Sequence, residues 1–288
     1  MKKAYIFAGI SILLWSSMAT VTKLLLGVMD SYQVLCVSSL FAFLALLGMN
    51  ICTGNIKKLR TFKLKDILIV VLIGLPGTFL YNVFLYLGTD KLLASQAFII
   101  NYLWPIMSVV FACILLKEKM TVRKGIAFAL SFLGVVTVAG SDLMNFQPET
   151  ALGMGLCVLA AVSYGVFTAL NQKWHYDKPL SVMLACFSTF LLTLVINLVR
   201  GTQLQLDAFQ VLGLGWNGIF VLAVATTTWA MALDRGKTPI ISNLAYITPF
   251  LSLVWTALFL HEQISLWSVA GLVIIILGIL IQLKDKKE

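Results

Sequence analysis

Apolar stretches of about 20 residues, the length that an α-helix needs to cross hydrocarbon, alternate with short polar connections along the whole chain. The ten predicted spans cover residues 4–26, 32–52, 66–88, 94–116, 122–140, 151–172, 180–199, 208–233, 238–260 and 265–283. Because the connections are too short for a separate soluble domain, the pattern predicts an all-α membrane protein with ten transmembrane helices.

The second half of this pattern repeats the first at a shift of 144 residues. The unusual positions that coincide are Asp90 with Asp234, Lys91 with Arg235, Tyr102 with Tyr246, Pro105 with Pro249, Ser108 with Ser252, Glu118 with Glu262 and Gly134 with Gly278. The shift joins span four to span nine, and an odd number of spans per half turns the second copy upside down. We therefore predict a five-plus-five inverted repeat, with its first half over 1–144 and its second over 145–288.

Two pentapeptides, 101–105 (NYLWP) and 245–249 (AYITP), lie at the middle of spans four and nine. Pro105 and Pro249 lack the N–H that would bond to the carbonyl four residues earlier. Hydrocarbon supplies no water to replace that bond, so such a break is tolerated where neighbouring helices or a wet cavity satisfy it. The sequence thus predicts helix breaks at both prolines, beside a cavity, and a further break at 74–77 (GLPG) in span three.

Polar and aromatic side chains near the middle of spans form the predicted substrate site, because such groups generally face the interior of a helix bundle. The candidates are Trp15, Tyr81, Asn82, Asn101, Tyr102, Trp104, Tyr164, Trp229, Asn243 and Tyr246. Tryptophan and tyrosine are also common at the headgroup level, but that explanation fits aromatics at span ends better than these. Lys23 is a further candidate with two interpretations. It either extends its charge to the headgroups or faces the cavity and pairs with a substrate carboxylate or phosphate.

The composition supports a membrane protein, with 60% hydrophobic and 11% charged residues against about 45–50% and 25% in soluble domains. The formal net charge of +9 follows from membrane topology and does not require a nucleic-acid partner. Of the 21 basic residues, all except Lys23, Lys91 and Arg200 fall on the side that carries both termini. By the positive-inside rule, both termini are predicted to be cytoplasmic, in an inner or plasma membrane.

Glu118 and Glu262 follow spans four and nine, where we expect them to stabilise the starts of the helices that come next. The centres of the spans carry no Asp or Glu, so a carboxylate relay for protons is not evident. The chain shows no catalytic set, no metal-ligand spacing and no phosphate-binding glycine loop. We therefore predict no enzyme activity and no cofactor, and packing roles for the five cysteines.

These features resemble the drug/metabolite transporter superfamily, EamA family, over the whole chain. The resemblance lies in the ten spans, the proline-broken helices, the acidic residue after each (KEK at 117–119, HEQ at 261–263) and the glycine-bearing last spans. The segment 101–105, Trp15 and Tyr81 look more narrowly like the YddG-type aromatic amino-acid exporters. Leu85 and Tyr164 depart from that branch, which favours an aromatic residue at the first position and Trp at the second. The resemblance implies a central aromatic cavity and export of aromatic amino acids.

The predicted function is export of amino acids, or similar small metabolites, by alternating access of the two halves about a site near Pro105 and Pro249. Without a central carboxylate, downhill facilitation is the simpler mechanism and proton exchange the next. Two alternatives stay open, a sugar-phosphate or nucleotide-sugar antiporter and a non-transporting membrane scaffold or sensor. An antiporter of that kind should present several Lys or Arg residues to its cavity, and only Lys23 and Lys91 are available. The expected partners are a small-molecule substrate and the lipid bilayer, with a monomer as the default assembly.

Overall fold

The computed structural model of the chain describes residues 2–138, 147–174, 176–235 and 244–283, and within these ranges the regular structure is helical. The described residues include seven helices that are long and apolar enough to cross a membrane. They are Lys2–Leu26, Ser31–Cys52, Leu64–Lys91, Ala94–Leu115, Pro148–Lys173, Lys178–Val199 and Ala208–Ala232. Shorter helices occupy the other three predicted spans within the described residues. The chain is thus a multi-pass helical membrane protein, while the count of ten spans stays a prediction.

The α-helices are named in chain order over the described residues. They are α1 (Lys2–Ser16), α2 (Met18–Leu26), α3 (Ser31–Cys52), α4 (Leu64–Leu75), α5 (Tyr81–Lys91), α6 (Ala94–Asn101), α7 (Trp104–Leu115), α8 (Val122–Val138), α9 (Pro148–Lys173), α10 (Lys178–Val199), α11 (Ala208–Gly215), α12 (Ala225–Arg235), α13 (Thr248–Phe259) and α14 (Leu266–Leu283).

Two wide, π-helical segments connect α-helices within single spans. Pro76–Leu80 joins α4 to α5, and Trp216–Val224 joins α11 to α12. The predicted break at 74–77 is therefore wrong as an interruption, because the helix continues from Leu64 to Lys91. In a π-helical turn the backbone hydrogen bonds join residues that are five apart instead of four, so the helix can continue although Pro76 has no N–H to donate.

The chain packs into two compact units, each of which draws on both sequence halves. The first unit combines residues 1–79 with 176–255, and the second unit combines 80–175 with 256–288. In the first unit, α3 packs against α10 and against the π-helical segment Trp216–Val224, around buried residues of all three elements. In the second unit, α8 packs on α14, while α5 and α7 both pack on α9. These packing units differ from the predicted repeats 1–144 and 145–288.

In the first unit, α3 and α10 lie antiparallel and are joined in the same way at both ends. Asp30, at the start of α3, pairs with Arg200 beyond the end of α10 at 2.8 Å. Asp177, at the start of α10, pairs with Lys58 beyond the end of α3 at 2.6 Å. A shift of 147 residues maps the bounds of α3 onto those of α10 and Asp30 onto Asp177. The two helices thus match in length and in the Asp that precedes each, and they contact each other end for end.

The second unit contains a similar antiparallel pair in α8 and α14, where glycines let the two backbones touch. A Cβ at Gly134 would lie 2.7 Å from the carbonyl oxygen of Gly271, and one at Gly278 would lie 2.8 Å from that of Ala127. The shift of 144 residues maps Ala127 onto Gly271 and Gly134 onto Gly278. The contact is thus reciprocal, as in a two-fold interface between copies of one structure.

Candidate substrate site

The helix of span four is interrupted at Tyr102 and Leu103, directly before Pro105 in the first turn of α7. The N–H of Tyr102 bonds to the carbonyls of Phe98 and Ile99, and the N–H of Leu103 bonds to Ile100, so the end of α6 tightens into a short turn. Pro105 has no N–H to lose in the first turn of a helix and is favoured there. The interruption therefore follows from the proline.

Three aromatic rings surround Tyr164 of α9 in the second unit. We call the four residues together the second-unit cluster: Tyr81, Trp104, Tyr164 and Phe167. The ring of Tyr164 lies 4.9 Å from that of Tyr81, 5.1 Å from that of Trp104 and 5.5 Å from that of Phe167. All four residues are half-buried. Three of them were predicted as substrate residues and come from three different helices, whereas Phe167 was not predicted. A ring one turn after Tyr164 on α9 could have been found from its spacing.

Asn101, at the end of α6, joins this cluster through its side chain. Its Nδ2 donates a hydrogen bond of 2.9 Å to the hydroxyl oxygen of Tyr81, and the residue is 4% exposed. The interruption after Asn101 ends α6 at the depth of the cluster. The structure thus brings Tyr81, Asn101, Trp104 and Tyr164 together in one unit.

Gly165 allows α9 to approach α7 closely enough for Tyr164 to reach Trp104. A Cβ at Gly165 would lie 2.7 Å from the backbone carbon and from the Cβ of Met107. Real Cβ atoms essentially never come that close to a backbone atom, so this position requires glycine. The glycine next to Tyr164 therefore sets the spacing of the aromatic rings.

The first unit holds a second aromatic contact between two predicted substrate residues, Trp15 of α1 and Trp229 of α12. Their ring centroids lie 5.3 Å apart and both residues are half-buried. One turn before Trp15, the hydroxyl of Ser11 lies 2.7 Å from that of Thr228 and donates to the carbonyl of Ala225. These polar contacts fix α1 on α12 and with it the Trp15–Trp229 pair.

A helix irregularity that was not predicted lies at Ser17, between α1 and α2. The hydroxyls of Ser16 and Ser17 donate to the carbonyls of Leu13 and Leu14, three residues earlier, at 2.8 and 2.7 Å. Serine hydroxyls that bind the preceding turn compete with backbone bonds and bend helices. The indole N–H groups of Trp255 and Trp216 donate to these two hydroxyls, respectively, both at 2.9 Å. The adjacent serines after Trp15 were the available signal.

The other predicted site residues lie on the same helices or at their ends. Asn82 is buried on α5 beside Tyr81, and Tyr102 is half-buried at the interruption. Lys23 is half-buried in the last turn of α2. Tyr246 is half-buried in a 3₁₀ turn, Ala245–Ile247, that directly precedes α13 and the buried Pro249. Asn243 lies outside the described residues.

The role predicted for Glu262 is wrong in one respect, because it stabilises a different helix. Its carboxylate accepts hydrogen bonds from the backbone N–H groups of Ala94 and Ser95, which open α6 in the second unit. Glu118 forms a side-chain ion pair with Lys124 in the first turn of α8 at 3.2 Å, and its predicted interaction with the helix start stays a prediction. A left-handed residue precedes each glutamate, Lys117 at φ 58° and His261 at φ 54°. The two connections therefore share one backbone shape.

Among the described residues, no group of three or more His, Cys, Asp or Glu side chains could hold a metal ion. The chemistry that the described site offers is noncovalent: aromatic faces, indole and phenol donors, and an amide. Such groups bind an organic solute reversibly.

Comparisons with known proteins identify the family of the chain. The sequence profile of the EamA-like transporter family matches residues 2–140 and 151–283 of the chain. An uncharacterized transporter of Clostridium kluyveri is 26% identical over 298 aligned residues, which cover 100% of this chain and 95% of that protein. The aromatic amino acid exporter YddG of Ancylobacter novellus is 23% identical over 62% of this chain and 63% of that protein. A solved crystal structure has the same fold, with a TM-score of 0.70 at 19% identity over 98% of this chain and 96% of the other.

Proposed function

The chain belongs to the EamA-like transporter family, and from that premise we propose that it exports small organic solutes, aromatic amino acids in particular. The observation that carries the proposal is the second-unit cluster at the interrupted helix, where Trp104, Tyr164 and Tyr81 are in contact and only half-buried. Aromatic rings prefer offset or edge contacts with other rings, so a flat solute gains affinity there. The relative from Ancylobacter novellus is named as an aromatic amino acid exporter, which supports the same substrate class.

The architecture that we propose for this function is the ten-helix, five-plus-five inverted repeat, with both termini cytoplasmic, in an inner membrane and as a monomer. Two antiparallel helix pairs support the inverted repeat, because α3 with α10 and α8 with α14 are equivalent helices that run in opposite directions. An inverted repeat has two nearly equivalent ways to open, one to each side of the membrane. Alternating access follows from that symmetry.

The second-unit cluster and the Trp15–Trp229 pair are each proposed to contact substrate at some stage of the transport cycle. In the first unit the candidates are Trp15, Trp229, Tyr246 and Lys23, and in the second unit they are Tyr81, Asn82, Asn101, Tyr102, Trp104 and Tyr164. Lys23 is the one candidate that carries a fixed charge. It is proposed as a ligand only for anionic or zwitterionic solutes.

The test is uptake of radiolabelled solutes into proteoliposomes, with and without a pH gradient. We expect saturable uptake of L-phenylalanine or L-tryptophan, competed by the other aromatic amino acids. Trp104→Ala should reduce this uptake by at least roughly tenfold, because it removes the large ring that closes the cluster on the α7 side. Trp267→Ala, an exposed tryptophan at the start of α14, serves as the control and should transport normally. Liposomes with the protein that show no flux for any solute would overturn the proposal in favour of a scaffold or sensor.

A further inference from the structure

The indole and hydroxyl hydrogens of the aromatic residues described above fall into two groups. Some are bonded within the protein, and others have no acceptor among the described residues. Trp216 and Trp255 use their indole N–H groups within the protein, since each donates to a serine hydroxyl. Over the described residues, no acceptor lies within hydrogen-bond distance of the indole N–H of Trp104 or of the hydroxyl of Tyr164. Both side chains are half-buried, and neither polar atom is among the fully buried, unpaired ones of the described residues. Polar groups inside a bilayer are costly without partners, which points to a partner that binds there.

Tyr81 belongs to the second group for a different reason. Its oxygen accepts a hydrogen bond from Nδ2 of Asn101, so its own hydrogen is directed elsewhere. Within the described part of the chain, that hydrogen also has no acceptor. Asn101 is buried and sits at the last position of α6, where the tightened turn before Pro105 restricts its movement. It therefore acts as a positioning residue that orients the Tyr81 hydroxyl.

These three donors lie on rings that are in direct contact, because Tyr164 touches both Tyr81 and Trp104. A carboxylate is the group that best uses several neighbouring donors, since its two oxygens offer about four acceptor sites. Hydrogen bonds to an ionised acceptor are also roughly twice as strong as those between neutral groups. Neutral donors have a further advantage for a transporter, because they hold the anion without creating a permanent ion pair that would slow its release.

Resting on the transporter function proposed above, we propose that Tyr81, Tyr164 and Trp104 hold the carboxylate of an amino-acid substrate through neutral hydrogen bonds, with Asn101 positioning Tyr81. The amino acid is thereby recognised by its acid group as well as by its ring. A decarboxylated or amidated analogue with the same ring should bind less well. The site then discriminates amino acids from aromatic amines.

The experiment compares L-phenylalanine with L-phenylalaninamide as competitors of labelled L-phenylalanine uptake into proteoliposomes. The wild-type protein should prefer the acid over the amide. Tyr81→Phe retains the ring and its contact with Tyr164, and should reduce this preference by about tenfold, the usual effect of losing a hydrogen bond to a charged group. Tyr164→Phe should reduce it in the same direction and serves as the second variant if the first does not insert. Tyr5→Phe, which removes a hydroxyl at an exposed position of α1, should leave the preference unchanged.

The positioning role of Asn101 has its own readout. Asn101→Leu should lower the preference for the acid in the wild-type background and have no further effect on it in the Tyr81→Phe background. A purely structural role would lower uptake of both competitors in both backgrounds.

The outcomes separate the two proposals. If wild-type protein transports aromatic amino acids and both tyrosine variants keep the full preference for the acid, carboxylate recognition at this cluster is wrong and the transporter function stands. If wild-type protein transports no amino acid, both proposals fail. Equal competition by acid and amide in the wild-type protein would also overturn the carboxylate site.

Discussion

The carboxylate of Glu262 lies 2.7 Å from the backbone nitrogen of Ala94 and accepts its hydrogen bond, although the two residues are 168 positions apart in the chain. The second oxygen accepts the N–H of Ser95 at 3.0 Å. The first N–H groups of a helix have no partner within the helix, and an anion there is stabilised by the helix dipole as well. Glu262 therefore anchors the connection after α13 to the start of α6, the helix that carries Asn101 at its other end.

We predict that Glu262→Ala lowers the free energy of unfolding by about 1–2 kcal/mol, because two N–H groups at the start of α6 lose their acceptor. Thermal unfolding in detergent measures the change. Glu149→Gln removes a charge in the first turn of α9 and should change stability by only a few tenths of a kcal/mol through the helix dipole. A Glu262→Gln protein of normal stability that loses a pH-dependent part of transport would instead assign Glu262 to ion coupling.

The glycine contact between α8 and α14 predicts that substitution of two glycines of α8 by alanine changes the stability in opposite directions. A Cβ at Gly134 would lie 2.6 Å from Ile275 Cγ1 and 2.7 Å from the Gly271 carbonyl oxygen. Gly134→Ala should therefore destabilise the protein by about 1–3 kcal/mol, because the two backbones must separate. At Gly125 no atom lies within 4 Å of the added Cβ. Gly125→Ala should stabilise α8 by about 0.5–1 kcal/mol.

Melting temperatures and the fraction of monodisperse protein after purification test both variants. If Gly134→Ala and Gly125→Ala behave alike, α8 and α14 do not pack through these glycines. The pseudo-equivalent variant Gly278→Ala should match Gly134→Ala, since its Cβ would lie 2.7 Å from the Ser131 hydroxyl oxygen and 2.8 Å from the Ala127 carbonyl oxygen.

The Trp255–Ser16 hydrogen bond should contribute about 0.5–1.5 kcal/mol to the stability of the first unit. Trp255→Phe and Ser16→Ala each remove it while keeping most of the packing. The double variant should then cost less than the sum of the single variants, because the same bond is lost only once. Additive effects of the two substitutions on chemical unfolding would show that the bond is not formed.

Much of the fold follows from the sequence because hydrophobic length and proline position are local signals. The interruption before Pro105 follows from the proline itself. The contact of Trp104 with Tyr164 requires only that aromatic groups at mid-span face inward. The match between the bounds of α3 and α10 was missed because it needs a shift of 147 residues, whereas the later spans fit a shift of 144. A change of spacing between repeats becomes visible only when helix bounds are known.

The serine irregularity in span one was missed for a different reason. No proline or glycine marks it, and a serine pair in a transmembrane helix bends the backbone only when its hydroxyls bond to the preceding turn. The indole groups that donate to those hydroxyls are distant in the chain. Trp216 lies about 200 positions from Ser17, and Trp255 lies about 240 positions from Ser16. Their partners depend on tertiary packing, which spacing along the chain does not encode.

The Asp177–Lys58 pair predicts how the stability of the first unit depends on pH. Partial burial opposes ionisation of Asp177, but hydrogen bonds from Lys58, Asn55 and the N–H of Leu180 outweigh it and hold the pKa of this carboxyl below its usual value. A lowered folded-state pKa means that the contribution is complete above the ordinary pKa of aspartate and is lost as the pH falls through the folded-state pKa. Acid should therefore weaken the junction of α3 and α10 at this end.

Asp177→Asn isolates the charge, since asparagine is also a good first residue for a helix. We expect this variant to be less stable than the wild type at pH 7, and the difference to shrink as the pH falls below about 4. Thermal unfolding of both proteins between pH 7 and pH 3 measures the difference. Lys58 is 60% exposed, so Lys58→Gln should cost less than Asp177→Asn, because the bonds from Asn55 and Leu180 remain. A stability difference between wild type and Asp177→Asn that does not change with pH would show that the carboxylate is not ionised in the folded protein.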